Sequence, residues 1–398
     1  MITLTRRTIT GAVLAAPLLS SRANAVTWPG PNATTADWPQ YCGYSDHQAF
    51  AQAERQLTAA NLPNVRLLWS RPTTPGHYFM APPIAVGPRV YVAGAKLSAL
   101  DAATGDARWT RSLGQSGQCS PAYAHGIVVV VAESPKPRLM AVNAATGAVL
   151  WNVSIPKLPW CSPSIAGATV YTVCGSTVLA FSLDRGKQLW SRKIPNDAAG
   201  THSSPTIRRG RLFVGTGGNA LVTAVNAATG ALLWRRRLHP SNLYGTDLGP
   251  VGTDTAGRVF AATSVGTVFA LSQATGATLW QHTNPDSPQY ESVAVAPTAV
   301  TATSYQSAAA INPATGALLW NRACDNGGFT IAAAAGLIYR TSSGPESQVL
   351  EVFDAATGAA IRRFPIPGAL ELRGASISRG RIFVSDLSGQ ISTFALPG

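Results

Sequence analysis

Ala141-Val142-Asn143-Ala144-Ala145-Thr146-Gly147-Ala148-Val149-Leu150-Trp151 decides how this chain folds, because the chain keeps repeating it. Ala99-Leu100-Asp101-Ala102-Ala103-Thr104-Gly105 precedes Trp109, and further Gly/Trp pairs stand at 186/190, 230/234, 276/280 and 316/320. A seventh copy, Asp354-Ala355-Ala356-Thr357-Gly358, has Arg362 where Trp would fall. Successive glycines lie 42, 39, 44, 46, 40 and 42 residues apart. A period of this length marks a repeat architecture.

The unit reads as β-structure. An alternating apolar strand precedes each Asp or Asn, and a second strand, ending in Trp, follows each Gly. The Asx side chain can accept backbone N–H bonds inside the turn, and Gly can supply the positive φ that reverses it. A second hairpin lies upstream in each unit, at 84–92, 122–131, 165–173 and 207–214. Four short antiparallel strands in about 42 residues make one propeller blade. The recurring Trp is read as packing between neighbouring blades rather than as a cofactor contact.

The number of blades follows from the ends of the array. Val65-Arg66-Leu67-Leu68-Trp69 reads as a lone outer strand, with Trp69 one period ahead of Trp109. Residues 381–385 and 390–396 supply strands with no outer one after them. The early strand is therefore expected to complete the last blade and close the ring, leaving no exposed sheet edge there. Residues 64–397, 334 in all, then hold eight blades. The expected fold is an all-β, eight-bladed propeller of four-stranded antiparallel blades.

Working outward, 26–63 reads as an N-terminal extension whose one helical stretch is 49–60, too little helix for a parallel α/β enzyme. Within residues 1–25, Thr5-Arg6-Arg7-Thr8 precedes an apolar run at 12–19, and Ala23-Asn24-Ala25 has the small-x-small form of a cleavage site. This reads as an export signal, of the twin-arginine type, and implies a secreted or periplasmic protein. Lack of a Cys at the cleavage site argues against a lipid anchor. No apolar run reaches the roughly 18 residues of a membrane span. Low charge (12%) and high apolar content (46%) exclude a disordered chain.

The net charge of +13 becomes +10 once Arg6, Arg7 and Arg22 leave with the signal. Arg208-Arg209-Gly210-Arg211, Arg235-Arg236-Arg237, Arg362-Arg363 and Arg379-Gly380-Arg381 are the basic clusters. They read as a solvated basic surface, or as attraction to an envelope protein, an anionic polymer or lipid headgroups; nucleic acid is not expected as a partner.

The Ala-x-Asp-x-x-Thr-Gly-x-x-x-Trp repeat resembles that of the pyrroloquinoline quinone (PQQ) family of eight-bladed propellers. That family includes quinoprotein alcohol dehydrogenases and a non-enzymatic propeller of the outer-membrane assembly machinery. Asp37-Trp38-Pro39-Gln40-Tyr41, leading through Asn61-Leu62-Pro63-Asn64-Val65 to Leu68-Trp69, is similar to the opening segment of the dehydrogenase branch. The repeat is structural, so it speaks for fold and not for chemistry.

A propeller ligand is expected on the axis, at the face where innermost strands begin. Aligned by their turns, the blades place Ala81, Cys119, Cys161, Ser203, Leu248, Tyr290, Phe329 and Arg373 around that mouth. One residue earlier stand Met80, Gln118, Trp160, His202, Asp247, Gln289, Gly328 and Leu372, with Glu291 nearby. In the enzymes, the resemblance implies a planar quinone stacked between a Trp and a disulfide of adjacent cysteines, with a Ca²⁺ or lanthanide ion and an Asp base. The match is partial. Val214-Gly215-Thr216-Gly217-Gly218-Asn219 is similar to the segment whose Asn holds the metal, with one Gly added. Asp247 stands alone where the family has several acids; it would serve as base and metal ligand beside Asn219. Trp160 could be the stacking floor, with His202 and Arg373 as further cofactor contacts. No two cysteines are adjacent, and no Cys-x-x-Cys-His haem site exists. The remaining histidines show no metal-ligand spacing.

Five cysteines, at 42, 119, 161, 174 and 324, in an exported protein can oxidise. Across the hairpin turning at Gly167-Ala168, Cys161 faces Cys174, the favoured disulfide. Cys119 competes for Cys161, Cys42–Cys324 is possible, and reduced buried thiols are the other reading. The intact scaffold with incomplete catalytic equipment points to a non-catalytic, monomeric envelope propeller that needs no cofactor. The alternative is a PQQ- and Ca²⁺-dependent dehydrogenase acting on an alcohol, aldehyde or sugar, and a cofactor-free lyase or hydrolase is the remaining reading.

Overall fold

The computed structural model describes residues 26–73, 81–114, 119–133, 136–194, 203–217, 220–239, 248–284, 290, 292–343 and 348–397. The described residues build eight antiparallel blades in a ring. In blade 4 the strands run outward from the axis as Thr206–Arg208, Arg211–Thr216, Leu221–Asn226 and Leu232–Arg237. Blades 1, 2 and 3 occupy 84–112, 122–154 and 164–193, and blades 5, 6 and 7 occupy 252–283, 292–323 and 327–366. Blade 8 takes three strands from 372–395 and its outermost from Arg66–Pro72, which pairs antiparallel with Gln390–Ala395. Closure by the early strand is as the sequence reading expects.

The repeated turn works as its residues require. Asn143 Oδ1 accepts the N–H groups of Ala145 (2.9 Å) and Thr146 (3.1 Å), and Gly147 turns the chain at φ +71°. A Cβ on Gly147 would lie 2.7 Å from the indole of Trp109, which belongs to the preceding blade. Only a residue lacking Cβ lets that ring lie flat on the turn. The indole N–H of Trp109 then donates to Ala144 O at 3.0 Å. Trp69, Trp151, Trp190, Trp234, Trp280 and Trp320 repeat this clasp on the next blade round the ring. Arg111, Arg192 and Arg322, two residues beyond their tryptophans, reinforce it by donating to the carbonyls of Gly147, Gly230 and Gly358. Arg362 breaks the pattern for a topological reason. Blade 8 has no such turn, because its last strand comes from the other end of the array. Arg362 instead donates to Pro63 O, just before that strand.

The extension departs from expectation. Residues 49–60 form no helix; Phe50–Ala51 pairs parallel with the innermost strand of blade 7, and the described helical turn is the 3-10 turn Leu62–Asn64. Helix-favouring composition loses here to tertiary bonding, since this stretch belongs to a segment that crosses the axis. The innermost strand of every blade is an edge whose N–H groups face the channel, and buried donors need partners. The extension supplies them in order. Trp38 O accepts from Ala85 of blade 1, Pro39 O from Tyr123 of blade 2, and Gln40 Oε1 from Ile165 of blade 3. Ser45 O, Asp46 O, Gln48 O and Ala49 O then accept from Ile207, Thr253, Val295 and Ala333 of blades 4 to 7. Blade 8 closes the circuit through Gly380 N–H to Glu54 Oε2 at 2.8 Å and the Arg379–Asp37 ion pair. The segment is contorted to do this: Cys42, His47 and Ala49 all have positive φ.

Candidate functional site

With the turn end of the axis spanned, the opposite mouth is the candidate site, and its floor is His47. This imidazole is almost fully buried between blades 3 and 4, with Ser164 Oγ 3.2 Å from Nε2 and Thr206 Oγ1 3.0 Å from Nδ1. Thr206 donates its own proton to Val251 O at 2.6 Å, so it can only accept from the ring. That assigns the proton to Nδ1 and leaves Nε2 to accept from Ser164. Both nitrogens are satisfied in the neutral form, and burial drives the pKa down to about 3. Isolated spacing hid this residue from sequence reasoning; it sits one turn away from the quoted opening segment and belongs to no motif.

Above this floor, the described mouth residues are largely engaged with one another. Ser120 N–H donates to Ser162 Oγ (2.8 Å), Ser162 N–H to Ser204 Oγ (3.0 Å), and Ser120 Oγ to Pro82 O (2.7 Å), linking blades 1 to 4. Ser385 Oγ and Ser376 Oγ donate to the carbonyls of Ala81 and Pro83, joining blade 8 to blade 1, and Thr330 Oγ1 donates to Arg373 O. The serines of Ser120-Pro121, Ser162-Pro163 and Ser204-Pro205 are thus rivets between blades. Tyr290 is buried, its hydroxyl accepting from Asn284 Nδ2 at 3.1 Å.

The expected site residues fare unequally. Trp160 lies four residues before the inner strand Ser164–Ala166 of blade 3, with half of its surface exposed. Arg373 lies at the start of blade 8, its Nη1 3.0 Å from Glu371 Oε1. Asp247, Asn219 and His202 lie outside the described residues, as do Met80, Gln118, Gln289, Glu291 and the export segment 1–25. His239 is described, its Nε2 3.2 Å from Thr263 Oγ1, and burial lowers its pKa. Among the described residues, no group of three or more His, Cys, Asp or Glu side chains is placed to hold a metal ion. Among the described mouth residues, Trp160 presents a half-exposed indole.

The expected Cys161–Cys174 disulfide is not formed: all five cysteines are free. Pairing in this hairpin starts at Ser164 opposite Tyr171, so Cys161 precedes the ladder, and its thiol turns to Val173 O at 3.6 Å. Cys119 donates to Cys161 O at 3.1 Å. Burial pushes Cys161 up to about 12 and Cys174 to about 11, so these thiols stay protonated and behave as small core residues. Cys42 and Cys324 are likewise unbridged.

A family model described as outer membrane protein assembly factor BamB matches residues 53–204 and 174–335. The chain belongs to this PQQ-repeat propeller family. No curated protein matches it in sequence. Among solved structures, BamB from Moraxella catarrhalis is similar at 18% identity, covering 83% of this chain and 99% of that one, with a TM-score of 0.66. Quinohemoprotein alcohol dehydrogenase from Comamonas testosteroni is similar at 16% identity, covering 95% and 82%, with a TM-score of 0.74. A europium-containing methanol dehydrogenase gives 12%, 91%, 98% and 0.73. At such identities the likeness is one of fold. PQQ-repeat propellers with and without a cofactor share this ring, so the mouth residues must decide between them.

Proposed function

We propose that this PQQ-repeat propeller is a non-catalytic binding or scaffold protein of the cell envelope, exported to the periplasm or beyond and acting without a cofactor. The observation that carries this reading is the engagement of the mouth. Ser120, Ser162, Ser376 and Ser385 bond to neighbouring blades, and His47, held neutral, is buried against the inner strands of blades 3 and 4. A catalytic mouth would instead aim such groups at a reactant. The BamB family match supports an envelope partner, either a protein or an anionic polymer. The described residues include no helix long and apolar enough to cross a membrane.

The second reading is a PQQ-dependent dehydrogenase with Ca²⁺, favoured by the half-exposed Trp160 at the mouth. The mature protein is incubated with PQQ and Ca²⁺, freed of unbound quinone, and tested for retained absorbance and alcohol-dependent dye reduction. The scaffold reading expects neither. Stoichiometric quinone with turnover establishes the dehydrogenase instead.

A further inference from the structure

The positive charge of this chain is concentrated in one place. Residues 183–239 hold ten Lys and Arg against two acids, a net of +8, whereas the rest of the mature chain nets +2. In the fold this stretch is the outer strand of blade 3 followed by all of blade 4, two adjacent blades of the eight. Seven of the ten cations stand on the outer strands or the turn before them, while Arg208, Arg209 and Arg211 lie at the inner hairpin of blade 4. Arg185 and Lys187 flank the blade 3 turn, Arg192 and Lys193 end that outer strand, and Arg235, Arg236 and Arg237 end the outer strand of blade 4; all seven are exposed.

Described ion pairs lie both outside and inside this stretch. Outside it, Arg108 meets Asp101, Arg258 meets Asp254, Arg363 meets Asp325 and Arg379 meets Asp37. Within residues 183–239, Asp184 lies against Arg185, and Arg208 on the inner strand meets Asp46 of the axial segment. Arg192 and Arg236 bond to neutral oxygens, on Gly230 and Thr278, which fix the guanidinium without cancelling its charge. Interleaved with these cations, Leu189, Leu232 and Leu233 expose 50, 49 and 43% of their surface. Exposed aliphatics recur on other blades, so the charge is what singles out this arc.

We infer that the outer edge of blades 3 and 4 is a docking surface for an anionic lipid bilayer. A six-residue outer strand spans about 20 Å, so the two strands present a cationic, aliphatic strip along the convex rim. A planar surface can meet a disc there edge-on. Lipid headgroups match the charge, and the headgroup–acyl boundary accommodates the leucines. A polysaccharide would have no use for those leucines, and the arc's tryptophans are already spent on Gly230 and Gly276. The inference is independent of whether the mouth takes a cofactor.

The test is flotation of the mature protein with vesicles of phosphatidylcholine alone or with about 30% phosphatidylglycerol. Binding is expected only to the anionic vesicles, falling as salt rises from about 0.05 to 0.5 M. Replacing Arg235, Arg236 and Arg237 with Glu is expected to weaken partitioning by at least about 100-fold. The control Lys96→Glu/Lys136→Glu/Lys157→Glu makes the same charge change on exposed residues of blades 1 and 2 and the loop beyond, and should weaken it far less. If the triple arginine variant does not fold, Lys187→Glu/Lys193→Glu replaces it. Equal losses in arc and control variants, or binding to soluble polyglutamate with none to vesicles, overturn the proposal.

Discussion

A neutral imidazole buried between blades 3 and 4 makes one residue an acid sensor for the ring. Above about pH 6.5, His47 is uncharged whether the chain is folded or not. Below that, the unfolded chain takes up a proton that the buried ring refuses until about pH 3. Stability contributed by this site is therefore intact above pH 6.5 and drains away as pH falls toward 3, by roughly 1.4 kcal/mol per unit. His47→Gln keeps a donor and an acceptor for Thr206 and Ser164 but cannot titrate. Urea unfolding at a series of pH values between 6.5 and 4 is expected to show a shallower slope for this variant, and an unchanged slope refutes the assignment. Nothing in the sequence marked His47, since one histidine without a partner at metal-ligand spacing has no pattern. Trp160 was legible because it stands outside the repeat. The pairing of Arg373 with Glu371 was not, because the two residues lie at the irregular start of a strand.

The turn-and-tryptophan clasp is the element on which most of the fold was readable. Asx, Thr, Gly and Trp recur at fixed offsets because each has a separate job: amide acceptor, hydroxyl cap, positive φ and flat packing surface. Trp151 is buried on Gly186 and donates to Leu183 O at 2.7 Å. Trp151→Ala is expected to cost about 3–5 kcal/mol in denaturant unfolding. Gly186→Ala should be strongly destabilising alone but much milder in the Trp151→Ala background, because its Cβ would meet the indole; simple additivity of the two refutes the clasp. Arg362→Trp tests the exception. With no glycine turn beneath it on blade 8, the added indole is expected to bring no gain in stability. The axial segment was illegible for the opposite reason. Its bonds come mainly from the backbone carbonyls of Trp38, Pro39, Ser45, Asp46, Gln48 and Ala49, and carbonyls leave no trace in side-chain pattern. Residues 49–60 accordingly looked helical by composition.

At the scale of the whole molecule, closure rests on Arg66–Pro72 meeting Gln390–Ala395. Deleting 390–397 removes that partner and bares the edge of Arg381–Asp386. The shortened protein is expected to lose its sharp thermal transition and to associate during size-exclusion chromatography; a monomeric product with unaltered melting would show that the ring does not depend on this seam. Trp69 and Thr393, side by side in the seam, are separated by 324 positions of chain. On a ribosome, the strand made early must wait while seven other blades emerge, its apolar face and hydrogen-bonding edge meanwhile without their native cover. Completion is therefore necessarily late in synthesis, and a chaperone or export factor that holds the nascent protein would have its longest window of contact at 66–72.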